Sequence, residues 1–242
     1  MQEMNLIDHV ADLRKRLLIT FSTFIISVVV CFLYVEPIYE FLSSRSGEKL
    51  TVLGPLDILG IYMKLAAVGA IAITIPVAAY QLWRFVAPAL TKQERKVTLM
   101  YVPALFLLFV FGVSFSYFVL FPMMYQFALG LAQGNFELLI TANEYFNFLL
   151  NMTIPFGIIF EMPIVVLFLS QIGIVNPHRL GKLRKPAYLL LTIVSVTITP
   201  PDLVSDVLVI VPLFLLYEAS ILISRVVYRK QKETEELYDS AV

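Results

Sequence analysis

Long apolar runs dominate the chain, and short polar stretches separate them. A helix that crosses a bilayer needs about 20 mostly apolar residues. Four runs reach that length, and two more flank Thr199–Asp202, which reads TPPD. Because two consecutive prolines cannot continue a helix, TPPD predicts a tight turn within a short hairpin. The pattern therefore predicts six spanning helices, at residues 17–35, 65–86, 97–121, 148–174, 187–199 and 203–223.

Lys and Arg side chains fall almost entirely on one side of these predicted spans. Fifteen of the eighteen precede the first span, follow the second or the fourth, or lie in the C-terminal tail. The opposite loops contain only Arg45, Lys49 and, at the edge of the second span, Lys64. Since cytoplasmic loops carry the excess of positive charge, both termini are predicted to be cytoplasmic.

Composition agrees with a membrane environment. Hydrophobic residues make up 59% of the chain and charged residues 15%, against about 45–50% and 25% in soluble proteins. Residues 1–228 are predicted to form one spanning domain, and 229–242 a polar, disordered cytoplasmic tail. The outer loops, 36–63 and 122–147, are apolar and aromatic, so we expect short helices that cap the outer face. Within them Thr141–Glu144 (TANE) has the spacing of a helix capping box.

The sequence lacks the usual signs of catalysis. It has no phosphate-binding loop, no zinc-ligand spacing and no nucleophile–base pair, and its two histidines, His9 and His178, lie far apart. We therefore predict no enzymatic activity, no cofactor, no metal and no nucleic-acid partner.

Two acidic residues lie in motifs on the predicted cytoplasmic side. Asp12 belongs to an N-terminal amphipathic helix expected at the membrane surface, where it can pair with Arg16 one turn later. Glu94 follows Thr91 at capping-box spacing, just before the third span. Each acid therefore has a simple structural interpretation as well as a functional one.

A third acid, Glu161, lies near the middle of the fourth predicted span, between Pro155 and Pro163. A charged side chain at that depth costs at least a few kcal/mol, so it marks a functional site or a buried hydrogen bond. The prolines predict a bent helix with carbonyl groups left to be satisfied. Packing through a neutral carboxyl group and recognition of a partner helix both fit these residues.

Several motifs together resemble TatC, the polytopic core subunit of the twin-arginine protein translocase. The resemblance covers nearly the whole chain in order and is strongest to Bacillus-type members. The motifs are HVADLRKRL, VLGPLDILGIYMKL, YQLWRFVAPALTKQERK, FGIIFEMP and ITPPD.

This resemblance implies a glove-like, curved bundle of six helices in the bacterial plasma membrane that receives twin-arginine signal peptides and exports folded proteins. It also implies use of the proton gradient and partners of three kinds: the signal peptides, single-span TatA or TatB-like subunits, and other TatC copies. Asp12 and Glu94 would recognise the paired arginines, with Arg14 and Phe85 in the surrounding patch. The chain departs from the family in having Asp12 where Glu is usual, and Asp reaches one methylene less far.

The remaining residues implied by the resemblance lie elsewhere in the spans. Glu161 would contact the transmembrane helix of a partner from the concave face, and Pro200, Pro201 and Asp202 would form an extracytoplasmic turn. Two other function classes stay open: a proton-coupled small-molecule transporter that uses Glu161, and a non-transporting membrane assembly factor. Transporters often contain two related halves, and no such repeat is visible here.

Overall fold

The structure, a computed structural model, describes residues 6–46, 50–90, 95, 98–132, 139–199 and 203–239. Within these residues the secondary structure is helical, apart from an isolated bridge between Thr51 and Thr141. A 3₁₀ turn covers Ala87–Ala89 and a π-helical turn covers Ser116–Leu120. The α-helices are α1 (Leu6–Leu33), α2 (Val35–Ser43), α3 (Pro55–Val86), α4 (Tyr101–Phe115), α5 (Phe121–Ala132), α6 (Ala142–Phe160), α7 (Met162–Gln171), α8 (Pro177–Lys182), α9 (Arg184–Ile198) and α10 (Leu203–Asp239).

Five helical segments in the described chain are long and apolar enough to cross a membrane. They correspond to five of the six predicted spans. The fifth predicted span is also a helix, α9, but its 15 residues fall short of the length of about 20 that a bilayer requires. The candidate segments are Val10–Leu33, Pro55–Val86, Tyr101–Gly130, Ala142–Gln171 and Asp206–Arg229.

Several helix ends differ from the predicted ones. α3 begins at Pro55, ten residues before the predicted start, because Gly54 is extended and Pro55 is suited to the first helical turn. The third span was predicted to end at Pro122, yet the helix continues, since the wider π turn just before it accommodates a proline. α10 runs to Asp239, so the prediction of a disordered tail from 229 is wrong for residues 229–239.

The chain divides into two compact units, the first comprising Met1–Phe106 and Gly134–Leu150. In this unit α1 packs along α3 through small residues. Ala66 and Ala70 are fully buried, and Gly69 lies so close to Cys31 that an added Cβ would be 3.0 Å from its Sγ. Small side chains allow two helices to approach closely, which is how helices gain contact inside a membrane.

Hydrogen bonds in the first unit connect α3 to α6 and cap the start of α6. Lys64 Nζ donates hydrogen bonds to Asn143 Oδ1 at 2.8 Å and Asn147 Oδ1 at 2.7 Å. The capping box is confirmed, because the backbone N–H of Glu144 donates to Thr141 Oγ1 at 3.2 Å. The short helices predicted for residues 36–63 and 122–147 are present as α2, in this unit, and as α5, in the second unit.

The second unit comprises Leu107–Gln133 and Asn151–Val242. Two glycines bring α4 and α6 together there. A Cβ at Gly112 would lie 2.7 Å from Phe160 Cβ, and a Cβ at Gly157 would lie 2.7 Å from Phe109 Cε2. Each helix thus inserts an aromatic side chain where the other has no side chain at all.

α7, α8 and α9 all pack against α10 in the second unit. The buried hydroxyls of Ser170 and Ser224 are hydrogen-bonded at 2.7 Å, and Tyr217 donates to the carbonyl of Leu180 at 2.9 Å. These contacts hold the elements that follow Glu161 against the last helix.

Candidate functional site

Asp12 pairs with the arginine one turn further along α1. Arg16 Nε and Nη2 lie 2.8 and 2.7 Å from the same oxygen, Asp12 Oδ2. The aspartate side chain is 30% exposed and the arginine side chain 13%. No hydrogen bond to the other oxygen, Oδ1, occurs within the described residues. Asp12 therefore forms the predicted i,i+4 pair, and its Oδ1 is an acceptor that no described residue uses.

Arg14 lies on the exposed side of α1, away from that pair. With Lys15 it borders a shallow depression whose other walls include Val10 and Leu18. These apolar side chains are exposed on the isolated chain. This arrangement gives the start of α1 a mixed cationic and apolar surface.

Phe85 is half-buried in the last turn of α3. Two residues earlier, Trp83 is 8% exposed, and its indole Nε1 donates to Thr98 Oγ1 at 3.0 Å. The Arg95 guanidinium carbon lies 5.8 Å from the Trp83 ring centroid. The hydrogen bond to Thr98 therefore connects the end of α3 to the residues that precede α4.

Four of the predicted site residues lie outside the described residues. These are Glu94 and the predicted turn residues Pro200, Pro201 and Asp202. Their predicted roles stay predictions. Next to the predicted turn, the Thr199 hydroxyl donates to Asp206 Oδ1 at 2.7 Å.

Glu161 lies at the junction between α6 and α7. Its amide N–H bonds to the carbonyl of Ile158 at 3.1 Å, a tight turn that interrupts the fourth predicted span. Pro163 follows two residues later and lacks the N–H that an unbroken helix needs, so the predicted disruption at this point is confirmed.

The carboxyl group of Glu161 has no partner among the described residues. The residue is 8% exposed, and both of its carboxyl oxygens are buried without a hydrogen bond. The preceding residue, Phe160, packs against Phe111 and Phe115. A buried polar group left unsatisfied costs about 1–3 kcal/mol. Glu161 is thus a buried hydrogen-bonding group for which the described residues supply no partner.

Glu218 in α10 contrasts with Glu161, because it is fully partnered. It accepts hydrogen bonds from Arg184 Nη2 at 2.8 Å and from the Tyr188 hydroxyl at 2.5 Å. Both partners lie on α9, so Glu218 connects α10 to α9. The sequence suggested neither Arg184 nor Tyr188 as the partner, since they precede Glu218 by 34 and 30 positions.

No metal centre is indicated by the structure as described. Its residues contain no group of three or more His, Cys, Asp or Glu side chains placed to hold an ion. The described site residues instead offer hydrogen-bonding groups, charges and apolar surface, which are the features by which proteins bind other molecules.

The family model for TatC, the Sec-independent protein translocase protein, matches residues 8–212. The chain belongs to the TatC family. It is 53% identical to the protein TatCd of Bacillus subtilis strain 168, over 97% of each chain. It is also 43% identical to a TatC protein of Halalkalibacterium halodurans, over 98% of this chain and 95% of the relative.

Solved structures agree with this assignment. A crystal structure described as the twin arginine translocase receptor TatC matches with a TM-score of 0.77 and 32% identity. The match covers 90% of this chain and 99% of that one. As a TatC protein with five long apolar helices, the chain is a core component of a protein translocase embedded in a membrane. The predicted family is confirmed, and the family is one of translocases rather than of catalysts.

Proposed function

We propose that this TatC chain is the receptor of a twin-arginine translocase in the bacterial plasma membrane. It binds signal peptides with two consecutive arginines at its cytoplasmic face and, with single-span TatA or TatB-like subunits, exports folded proteins at the expense of the proton gradient. The observation that carries the proposal is the unpaired, buried carboxyl group of Glu161 in a chain of this family. Such a group favours a helical guest that supplies the missing hydrogen bond inside the membrane.

The proposed topology has six spans and two cytoplasmic termini. The charge pattern supports it, since fifteen of eighteen Lys and Arg fall on the same side. In this scheme α9 is the fifth of the six spans and adds to the five long apolar helices. Its 15 residues give a length of roughly 22 Å, and a span this short thins the bilayer around it. A curved, glove-like bundle with α2 and α5 in a cap on the outer face completes the proposed architecture.

Arginine recognition is assigned to Asp12 and Glu94, with Arg14 and Phe85 beside them. A carboxylate matches the planar, permanently charged fork of a guanidinium. Asp12 supports this assignment with its free Oδ1, because a guest arginine can bind there without displacing Arg16 from Oδ2.

Binding of synthetic signal peptides tests the recognition step. We expect the purified chain to bind a twin-arginine peptide at least tenfold more tightly than its twin-lysine control, since lysine lacks the bidentate fork. Glu94→Gln and Asp12→Asn should each remove most of that preference. Equal affinity for the two peptides in the unaltered chain would refute the proposed receptor role.

Paired substitutions at Glu161 test the partner contact. Gln keeps a hydrogen-bonding group of nearly the same size, whereas Leu removes it. We expect Glu161→Gln to retain most of the co-purifying TatA-type subunit and Glu161→Leu to lose it. Equal loss in both variants would show that ionisation is needed. That result would favour the competing function, a proton-coupled transporter.

A further inference from the structure

Positive charge is concentrated in the second unit where α8 ends and α9 begins. Four of the seven residues from 179 to 185 are cationic, and none is acidic. We call these four side chains the basic junction: Arg179, Lys182, Arg184 and Lys185. All but Arg184 are exposed and, within the described chain, form no ion pair. The basic junction therefore carries three positive charges that no described carboxylate offsets.

Contacts with α10 give the basic junction a defined geometry. Tyr217 donates a hydrogen bond to the carbonyl of Leu180 in α8 at 2.9 Å. The next residue of α10, Glu218, accepts a hydrogen bond from Arg184 Nη2 at 2.8 Å. Because these two acceptor and donor contacts involve adjacent residues of α10, they hold α8 and the start of α9 at the same level of that helix.

The guanidinium of Arg184 is only partly satisfied by Glu218. Its Nε is buried and has no hydrogen-bond partner among the described residues. A guanidinium has five N–H donors and no acceptor, and a buried donor left without an acceptor is costly. The side chain as a whole is 40% exposed, so a ligand can approach it from outside. Beside unpaired lysines, such a donor favours a ligand with anionic oxygen atoms.

An exposed apolar stripe runs along α9 from the basic junction. Lys185 is followed at helical spacing by Leu189, Ile193 and Val196, which are 64%, 55% and 47% exposed. At 1.5 Å per residue the stripe is roughly 16 Å long, and one leaflet of the hydrocarbon core is about 15 Å thick. The stripe therefore matches one acyl chain in length and has its positive charge at one end.

This combination of charge and apolar surface fits a membrane lipid. We propose that the basic junction binds the phosphate of an anionic phospholipid in the cytoplasmic leaflet, and that an acyl chain of this lipid covers the stripe on α9. Basic pockets at the cytoplasmic ends of spanning helices recognise such headgroups. A lipid fixed there also sets the depth of the leaflet around α9, whose 15 residues are short for a span. The choice of leaflet rests on the proposed topology.

The thermal midpoint of the purified full chain in an uncharged detergent measures binding. The probe is phosphatidylglycerol, and phosphatidylcholine with the same acyl chains is its control. Because a ligand that binds the folded chain stabilises it, phosphatidylglycerol should raise the midpoint saturably and phosphatidylcholine should not. Glycerol phosphate, which has no acyl chains, should have no effect at the same concentration. This arm separates a lipid from a free phosphate.

Substitutions at two exposed lysines locate the site. Lys182→Gln and Lys185→Gln should each weaken the apparent affinity for phosphatidylglycerol about fivefold, and the double variant about 25-fold. Replacement of both lysines by arginine keeps the charge and should keep the affinity. Lys15→Gln removes the same charge from α1 and is the matched control, with unchanged affinity expected. Without lipid, all of these variants should unfold at the midpoint of the unaltered chain, since the side chains are exposed.

Arg184→Lys tests the buried donor. Lysine keeps the positive charge opposite Glu218, but it lacks the Nε donor and the planar fork of the guanidinium. We expect the affinity for phosphatidylglycerol to fall about tenfold. An unchanged affinity would overturn the assignment of Arg184 to the phosphate.

Several results would overturn the lipid site as a whole. Equal midpoints with the two lipids would leave the basic junction to an acidic segment of a partner protein, and an equal effect of glycerol phosphate would show a free-anion site. Equal loss of affinity in Lys15→Gln and Lys185→Gln would show diffuse attraction to net charge. A double arginine variant as weak as the double glutamine variant would exclude charge as the basis. None of these measurements includes a signal peptide, so failure of this inference is distinguishable from failure of the receptor role.

Discussion

Replacing Gly112 by alanine perturbs the packing around Phe160, the residue that precedes Glu161. The new Cβ would lie 2.7 and 2.8 Å from Phe160 Cβ and Cγ and 3.0 Å from the carbonyl oxygen of Phe156. Carbon atoms in ordinary contact are about 3.5–4.0 Å apart. Because these neighbours are backbone or next to it, no rotamer change relieves the clash. α4 and α6 must therefore separate by about 1 Å, and Phe160 carries Glu161 with it.

The magnitude follows from two opposing terms. Overpacking of this kind costs about 1–3 kcal/mol, and removing a helical glycine returns up to about 1 kcal/mol. We expect a net loss of about 1–2 kcal/mol in the free energy of unfolding. For a chain of this length that corresponds to a fall of roughly 2–8 °C in the thermal midpoint.

Gly130→Ala is the matched control, because nothing lies within 4 Å of the Cβ it would add to α5. Only the helix-propensity term applies, so its midpoint should stay equal or rise. Gly157→Ala should fall between the two, since the closest atom is the edge of the Phe109 ring, which can turn. Thermal unfolding of the three purified variants in one detergent measures the order. A Gly112→Ala midpoint equal to that of Gly130→Ala would refute the close packing of α4 and α6.

Two further substitutions test the polar contacts of each unit, both read as thermal midpoints in detergent. Lys64→Met keeps the aliphatic stem and removes two charge-assisted hydrogen bonds, to Asn143 and Asn147. We therefore expect the free energy of unfolding to fall by about 2–3 kcal/mol. An unchanged midpoint would mean that water replaces the amide contacts. Glu218→Gln keeps an acceptor for Tyr188 and removes only the charge opposite Arg184. Because the two side chains are 34–40% exposed, solvent screens the ion pair, and the free energy of unfolding should fall by less than about 1 kcal/mol. A larger loss would contradict this screening.

The sequence predicted the spans well because hydropathy is a local property. Apolar runs long enough to cross a bilayer stand out without any knowledge of packing, and five of the six predicted ones contain a long apolar helix. Helix ends were harder to predict, because they depend on groups that the run itself does not contain. The end of the third predicted span is one example, because a π turn at Ser116–Leu120 lets the helix continue past Pro122. The buried Ser116 in this turn contacts a residue far along the chain, since its hydroxyl lies 3.5 Å from that of Thr153.

The contacts of the site residues differ in the same way, because those within one helical turn were predictable and those between distant positions were not. The Asp12–Arg16 pair was predictable because it spans one helical turn. The partners of Glu218 and the acceptor for Trp83 were not, since they lie 30–34 and 15 residues away. One signal was available for Lys64: two asparagines at i and i+4 share a helix face, which suits a single ammonium group between them.

The central claim is that the loop with Glu94 faces the cell interior, where signal peptides arrive. Site-directed labelling tests it most directly: Gln93→Cys in a Cys31→Ala background provides one thiol beside Glu94. A membrane-impermeant maleimide should label this cysteine in inverted membrane vesicles and leave it unmodified in right-side-out vesicles. Labelling from the outside of right-side-out vesicles would contradict the account, because no cytoplasmic arginine pair could then reach Glu94.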